Sequence, residues 1–355
     1  MVSRVRQKTW SHSHNEDQEL HISTAPGTEL MPSDLSIIIV NWNGGSLLTR
    51  CVESVINSTP RPAYEIVIVD NASTDDSLAQ LHANKTAAAM IDSGQLRIIT
   101  NSENRGFGAA NNQAFAVTRS QFVFLLNLDT EVPEGTIDTL IEKLKADPKI
   151  GACGPRMLNP DGSLQVSVFF NPPRVWHTLL SQLWLYHLLP RKIRGELLLG
   201  WHWNHDRERS VPMLGGAAIM ARREMIEQVG GFDERFHMYG EDNEWCWRIR
   251  KSDWRLMFVP GASLLHYGAQ SSSKRWSHSD RIRMRLRAGF NFEHRALPRW
   301  QVAANQLANY LVVTVQIAGR KLLGIEHPEL SVIKEMHREH LKRAFSNNHT
   351  SVSDL

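Results

Sequence analysis

The chain has 355 residues, 42% of them hydrophobic and 22% charged. This is a globular composition, long enough to bury a large core in one big domain or two ordinary ones. Lys and Arg number 40 against 37 Asp and Glu, a formal net charge of +3, which lacks the dense basic footprint of a nucleic-acid coat protein. Cys51, Cys153 and Cys246 lie far apart and form no CxxC pair, which excludes a disulfide scaffold and a cysteine zinc site and makes a reducing cytoplasm the expected home.

Residues 1–34 are polar, lack the apolar stretch of a signal peptide and read as a mobile tail. From residue 35 apolar runs and helical periodicity alternate. Leu35–Asn41, Tyr64–Asp70, Leu96–Thr100, Gln121–Asn127 and Ile150–Leu158 read as strands. Between them Leu47–Ile56, Ala109–Thr118 and Ile137–Leu144 read as helices. That rhythm predicts an α/β fold around a parallel sheet. Beyond the Asp161-Gly162 turn, Leu164–Phe170 reads as a strand, 241–251 as a helix, and Trp254–Pro260 as a strand followed by a loop that holds His266.

Two later segments bear on membranes. Trp300–Gly319 is uncharged over 20 positions, but Gln301, Asn305, Asn309 and Gln316 form an amide stripe that suits an amphipathic helix better than a span. Val175–Leu189 is uncharged for 15 residues and too short and polar to cross. It is either a buried helix pair or a membrane-surface segment with Trp176, Trp184, Trp201 and Trp203 as interfacial aromatics. Residues 274–299 carry eight Lys and Arg against Asp280 and Glu293, which suits either an anionic membrane surface or a solvated helix.

Ligands of open α/β sheets sit beyond the carboxyl ends of the strands. Four such ends are polar here: Asn41, Asp70-Asn71, Asn101 to Asn104, and Asn127 with Asp129. Each alone could be a helix cap; together they suit a base, a ribose and a diphosphate. Arg105-Gly-Phe-Gly-Ala-Ala-Asn111 nearly matches the dinucleotide fingerprint, with Asp129 lying 23 residues after Gly106. A nicotinamide-dependent oxidoreductase is therefore an alternative, although Asn111 replaces the last small residue and the motif follows the third strand. A third reading is a glycine turn that only packs a helix on the sheet. Asp129 at a strand end is where Mg²⁺ or Mn²⁺ would sit with phosphate oxygens, with His266 as a further ligand. Glu241, Asp242 and Glu244 open a helix, where acids complement its dipole, yet a carboxylate facing a cleft could also deprotonate a hydroxyl.

The pieces SIIIVNWNG, VIVDNASTDDS, NRGFGAANNQA, FLLNLDTEV, MLGGAAIMARRE, VGGFDERFHMYGEDNEWCWR and LLHYG run in order through residues 35–270. Together they resemble glycosyltransferase family 2, the inverting GT-A enzymes, and particularly its rhamnosyltransferase-like branch. The resemblance implies a nucleotide-binding half at 35–158, an acceptor-binding half at 159–270 and a basic, amphipathic helical region at 271–355. It implies that Asn41, Asp70, Asn71, Asn104, Gly106, Phe107, Gly108, Asn127 and Asp129 serve the nucleotide sugar, and that Gly215, Gly216 and Trp245 lie on the acceptor side. Asp129, with His266, would hold Mg²⁺ or Mn²⁺; Asp242, in its pair with Glu241, would be the catalytic base. Two departures stand out: Asn127 replaces the first acid of the family's DxD, and Glu244 ends its ED-x-D. The expected partners are a nucleotide-sugar donor such as dTDP-rhamnose and a cell-surface glycan or lipid-linked acceptor, with no nucleic acid. The expected place is the cytoplasm, peripherally at the inner face of the membrane. A catalytically dead nucleotide-sugar-binding protein also fits the altered DxD.

Overall fold

Strand β2 (Leu35–Asn41) is an unbroken apolar run because both of its faces are covered. Ile37 and Ile39 join one core cluster while Ile38 joins another on the opposite side of the sheet. This computed structural model describes residues 22–23, 33–169, 174–182, 185–236, 238–268, 276–325 and 327–345. A two-residue strand, β1 (Ile22–Ser23), pairs antiparallel with β4 (Leu96–Thr100), so part of the expected tail docks on the sheet edge. Parallel pairing then runs from β4 through β3 (Tyr64–Asp70) and β2 to β5 (Phe122–Asn127).

The rest of the sheet is mixed rather than parallel. Strand β10 (Ala218–Arg222) lies antiparallel between β5 and β7 (Ile150–Leu158), because the chain enters it from the carboxyl-end side of the sheet. Strand β7 pairs in parallel with β11 (Arg255–His266), whose far end meets β6 (Thr130–Glu131) antiparallel. The strand expected to stop at Pro260 therefore runs on, and His266 is its last residue, not part of a loop. Conversely, the strand expected over 164–170 is only β8 (Leu164–Gln165), hairpinned onto β7; β9 (Arg209–Ser210) pairs with β11.

On one face pack α1 (Ser46–Asn57), α2 (Ser77–Ala83), α3 (Lys85–Asp92) and α5 (Thr136–Ala146), through residues such as Leu48, Val52, Leu81 and Leu140. On the other lie α4 (Phe107–Val117), α8 (Arg223–Val229) and α9 (Glu241–Lys251), locked by Phe115, Phe232 and Trp245. Phe232 stands 6.1 Å from Phe115 and 4.6 Å from Trp245 between ring centroids. All three cysteines are free and buried, and burial pushes the Cys51 and Cys246 thiols up to about 12, so neither is a reactive thiolate.

Helices α6 (Val175–Gln182) and α7 (Arg191–Leu198) form the excursion before β9. Trp176 and Trp201 are exposed there, Trp203 is buried against Phe258, and Trp184 lies outside the described residues. The chain ends in α10 (His278–Ala296), α11 (Arg299–Leu322) and α12 (Pro328–Phe345), which share a small core of Phe290, Val302, Ala303 and Ala344. Of the amide stripe read from 300–319, Asn305 is fully buried while Gln301, Asn309 and Gln316 are half-buried. Among the described residues no helix is long and apolar enough to cross a membrane.

Candidate active site

A cavity of about 490 Å³ opens at the carboxyl ends of β2, β3 and β5, within the range of small-molecule sites. Asn71, Asn104, Gly106, Phe107, Asn127, Asp129, Gly215, Gly216, Glu241, Asp242 and His266 all line it. Asn41, Asp70, Gly108 and Trp245 do not. Asn41 Nδ2 donates to Asp70 Oδ1 at 2.7 Å, and Ser73 N donates to Asp70 Oδ2 at 3.0 Å. That pair is buried and shapes the 71–75 turn from below. Trp245 is fully buried, its Nε1 donating to Gly230 O at 2.9 Å, which removes it from the acceptor surface. A Cβ on Gly108 would stand 3.0 Å from Phe232 Cβ, so this glycine serves helix packing.

The turn at the start of α4 is held by an amide relay. Asn71 Nδ2 donates to Gly106 O at 3.1 Å, Asn101 Nδ2 donates to Asn71 Oδ1 at 2.8 Å, and Gln113 Nε2 donates to Asn101 Oδ1 at 2.8 Å. Gly106 has φ 84°, a left-handed backbone that a side chain would strain. Asn104 Oδ1 accepts from its N–H at 2.9 Å. The α4 N-terminus thus presents a rigid backbone edge to the cavity, as an anionic ligand needs.

Asp129 and His266 are 137 positions apart and meet because Thr130 pairs with His266 in the β6–β11 ladder, while Tyr267 N donates to Asp129 O at 2.9 Å. Asp129 Oδ1 lies 3.2 Å from His266 Nε2. On the other side of the ring Nδ1 is 2.5 Å from Gln165 Oε1. An amide oxygen only accepts, so Nδ1 donates to it, and the ring turns Nε2 toward the Asp129 carboxylate. A carboxylate oxygen and an imidazole nitrogen, both largely buried, thus stand side by side at the cavity wall as two atoms able to ligate a cation. Nε2 has no hydrogen-bond donor in the structure. The donor set, one oxygen and one nitrogen with room for phosphate oxygens, fits Mg²⁺ or Mn²⁺. Among the described residues no cluster of three or more His, Cys, Asp or Glu side chains could hold a metal by itself. Asn127 lines the cavity but its neutral amide adds no charge there.

Across the cavity α9 begins at Gly240, φ 87°. Asp242 Oδ2 accepts from Gly216 N at 3.1 Å and Oδ1 from Asn243 N at 2.8 Å. A Cβ on Gly216 would come 3.3 Å from Asp242 Cβ, so the glycine permits this approach. Burial pushes the Asp242 carboxyl above its ordinary range, and the two N–H donors oppose that rise. Glu241 is pushed up to about 8 by burial and by the charge of Asp242, so it holds its proton at neutral pH. Glu244, fully buried, is taken up by Arg248 Nε and Arg295 Nε, each at 2.8 Å. It is a structural acid, not an acceptor contact.

Several lining residues escape a reading of the sequence. Gln165 orients the His266 ring from a hairpin that no local pattern announces. Trp42 and Trp276 face each other at 6.1 Å, and Arg285 lies 5.1 Å over the Tyr239 ring. Arg285 sits in the basic stretch read as surface, yet α10 carries it into the cavity.

A family model described as Glycosyl transferase family 2 matches residues 36–191. The N-acetylglucosaminyl-diphospho-decaprenol L-rhamnosyltransferase of Mycobacterium tuberculosis is 30% identical over 258 residues, 69% of this chain and 79% of that one. The O-antigen biosynthesis protein RfbC of Myxococcus xanthus is 26% identical over 68% of this chain and 18% of its own. Among solved structures, a mannosyltransferase of Pyrobaculum calidifontis with GDP-Man and Mn²⁺ aligns with TM-score 0.52 and 16% identity, over 92% of this chain and 89% of that one. GalNAc-T7 with UDP, GalNAc and Mn²⁺ aligns with TM-score 0.52 and 18% identity, over 88% and 56%. These likenesses give the GT-A fold and leave the dinucleotide alternative without support: the glycine turn belongs to a different architecture. The chain belongs to glycosyltransferase family 2, as an enzyme that acts on a nucleotide sugar and resembles the family's rhamnosyltransferases.

Proposed function

We propose that the enzyme transfers a hexose, L-rhamnose from a dTDP-rhamnose-type donor, to a hydroxyl of a lipid-linked or cell-surface glycan acceptor, with inversion. The observation that carries the reading is one cavity with Asp129 and His266 paired on the nucleotide side and Asp242 on the other. The M. tuberculosis relative is named for an L-rhamnosyl transfer onto a diphospho-decaprenol-linked sugar, which supports both the donor and the lipid carrier. A Mg²⁺ or Mn²⁺ ion held by Asp129 and His266 would offset the charge of the departing diphosphate; both structural neighbours carry Mn²⁺.

The chain's own residues do the rest. Asn71, Asn104 and the Gly106-Phe107 backbone receive the nucleotide. Asp242, held by the Gly216 and Asn243 amides, accepts the acceptor hydroxyl's proton as that oxygen bonds the anomeric carbon. The bond from that carbon to the diphosphate breaks on the opposite face, and the configuration inverts. Glu241, protonated, adds no second negative charge and can donate a hydrogen bond. The sheet and α9 would form the donor and acceptor halves, 35–158 and 159–270, working at the inner face of the cytoplasmic membrane.

Asp242→Asn tests this. General-base help is worth about 10²–10⁴-fold, so transfer should fall by that factor while dTDP-rhamnose with Mn²⁺ still raises the melting temperature. Wild-type turnover in the variant would sink the base assignment. A donor-induced shift in the wild type without any transfer would favour an inactive sugar-nucleotide binder.

A further inference from the structure

Helix α11 is apolar on both sides, burying Val302, Ala303, Ala308, Val312 and Val313 with two amides among them. Asn305 is fully buried and Gln306 nearly so, against α10 and α12. Gln306 Nε2 donates to Glu293 Oε2 at 2.9 Å, and Gln306 Oε1 lies 2.8 Å from His337 Nδ1. The outward side is apolar. Trp300, Leu307, Leu311, Val315 and Leu322 are 44–88% exposed, and their spacing of seven, four, four and seven places them on one stripe of the helix. The stripe runs the length of a 24-residue helix, roughly 36 Å. A helix made only to close a water-soluble core would turn polar residues outward, and an exposed apolar stripe of this length marks a contact surface.

Charge decides what covers it. Helices α10, α11 and α12 carry twelve Arg and Lys against five Asp and Glu; with Arg285 in the cavity, Arg295 on Glu244 and Glu293 buried, ten stand against four. A second copy would bring like charge to like charge; anionic lipid headgroups complement it. Arg299 and Trp300 at one end of α11, and Arg320-Lys321 at the other, are basic and aromatic residues suited to headgroup depth. The helix is not apolar enough to cross, and its amide face is committed to α10 and α12.

We propose that the outward stripe of α11 is the surface on which this enzyme lies flat on an anionic lipid bilayer. This rests on the lipid-linked acceptor read above. It gives that acceptor a route, since α10, packed in the same three-helix unit, carries Arg285 into the cavity.

The test uses the full chain and vesicles of phosphatidylcholine with and without about one-third phosphatidylglycerol. The wild type should float with the anionic vesicles, and less so at high salt. The triple variant Leu307→Gln, Leu311→Gln, Val315→Gln changes only exposed positions and should keep its melting temperature. Its bound fraction should drop by about tenfold or more. Equal binding by the variant, or no wild-type binding, overturns the proposal. So does a wild-type dimer, seen by light scattering, that dissociates in the variant while vesicles are ignored. The donor-induced melting shift, read on the same samples, separates the two claims. A shift without vesicle binding sinks the surface and spares the transferase; vesicle binding without a shift does the reverse.

Discussion

Around β2 every side chain from Leu35 to Ile39 is fully buried, and all but Ser36 are apolar; on α11 the fully buried side chains are Val302 and an amide, Asn305. The sheet half gains its stability from apolar surface removed from water, with two clusters back to back. The C-terminal helices have a small apolar core and a polar seam of Glu293, Asn305, Gln306, His337 and His340, and they turn leucines outward. An apolar period therefore identifies a helix without saying which side faces in. Gln306 could go inward beside Val302 and Ala303 because Glu293 on α10 and His337 on α12 satisfy its amide.

Truncation should expose this contrast most strongly. Phe124→Ala, at a fully buried position on β5, should cost about 3–5 kcal/mol. Leu311→Gln, on the outward stripe, should stay within about 0.5 kcal/mol. Urea unfolding of both variants checks this. A large loss in Leu311→Gln would mean that the stripe is packed against the protein in solution, and the contrast would fail.

Glu241 sharpens the comparison at the cavity, where the sheet half also buries a polar group. Its carboxyl, pushed up to about 8, contributes stability that is full below its unfolded value near 4.5 and is lost as pH rises through about 8. Glu241→Gln removes that loss, so the variant's melting temperature should gain on the wild type from pH 6 to pH 9. The alkaline limb of kcat/KM should move up with it, because the second charge beside Asp242 no longer develops. A limb unchanged in the variant would assign it to another group.

Much of the sheet half is legible because its local and global signals agree. Leu35–Asn41, Tyr64–Asp70, Leu96–Thr100 and Ile150–Leu158 start and stop where their apolar runs do, and α9 spans 241–251 as read. The polar strand ends lie at one rim, as parallel strands require. Illegible features are those set by distant pairing. The antiparallel entry of β10, the extension of β11 to His266 and the Gln165–His266 contact come from strands that meet only in the fold. Asn41 and Asp70 carry the right chemistry at the right strand ends, yet they face each other, because a side chain's direction depends on the turn that follows. Arg285 was hidden by its neighbours: within a run of arginines, nothing local separates the one aimed at the cavity.

The smallest effect concerns acid. Burial lowers His337 to about 4, and burial, helped by repulsion from the neighbouring imidazoles His337 and His294 and from Arg343 and Arg287, lowers His340 to about 3. Both rings are neutral when folded: His337 Nδ1–H donates to Gln306 Oε1, and His340 stacks on Phe290 at 4.1 Å. A lowered histidine contributes stability that is present above its unfolded value near 6.5 and is lost as pH falls toward the folded one. Hydrogen exchange, expressed as protection factors, should therefore show 278–345 loosening between pH 7 and pH 5 while 35–158 holds. Glu293, raised to about 7 by burial, pulls the other way and narrows the drop. His340→Phe keeps a ring on Phe290 and removes one titration, so it should flatten the pH response. An undiminished response in that variant, or equal loosening of both regions, would show that the polar seam does not set the acid sensitivity of the C-terminal helices.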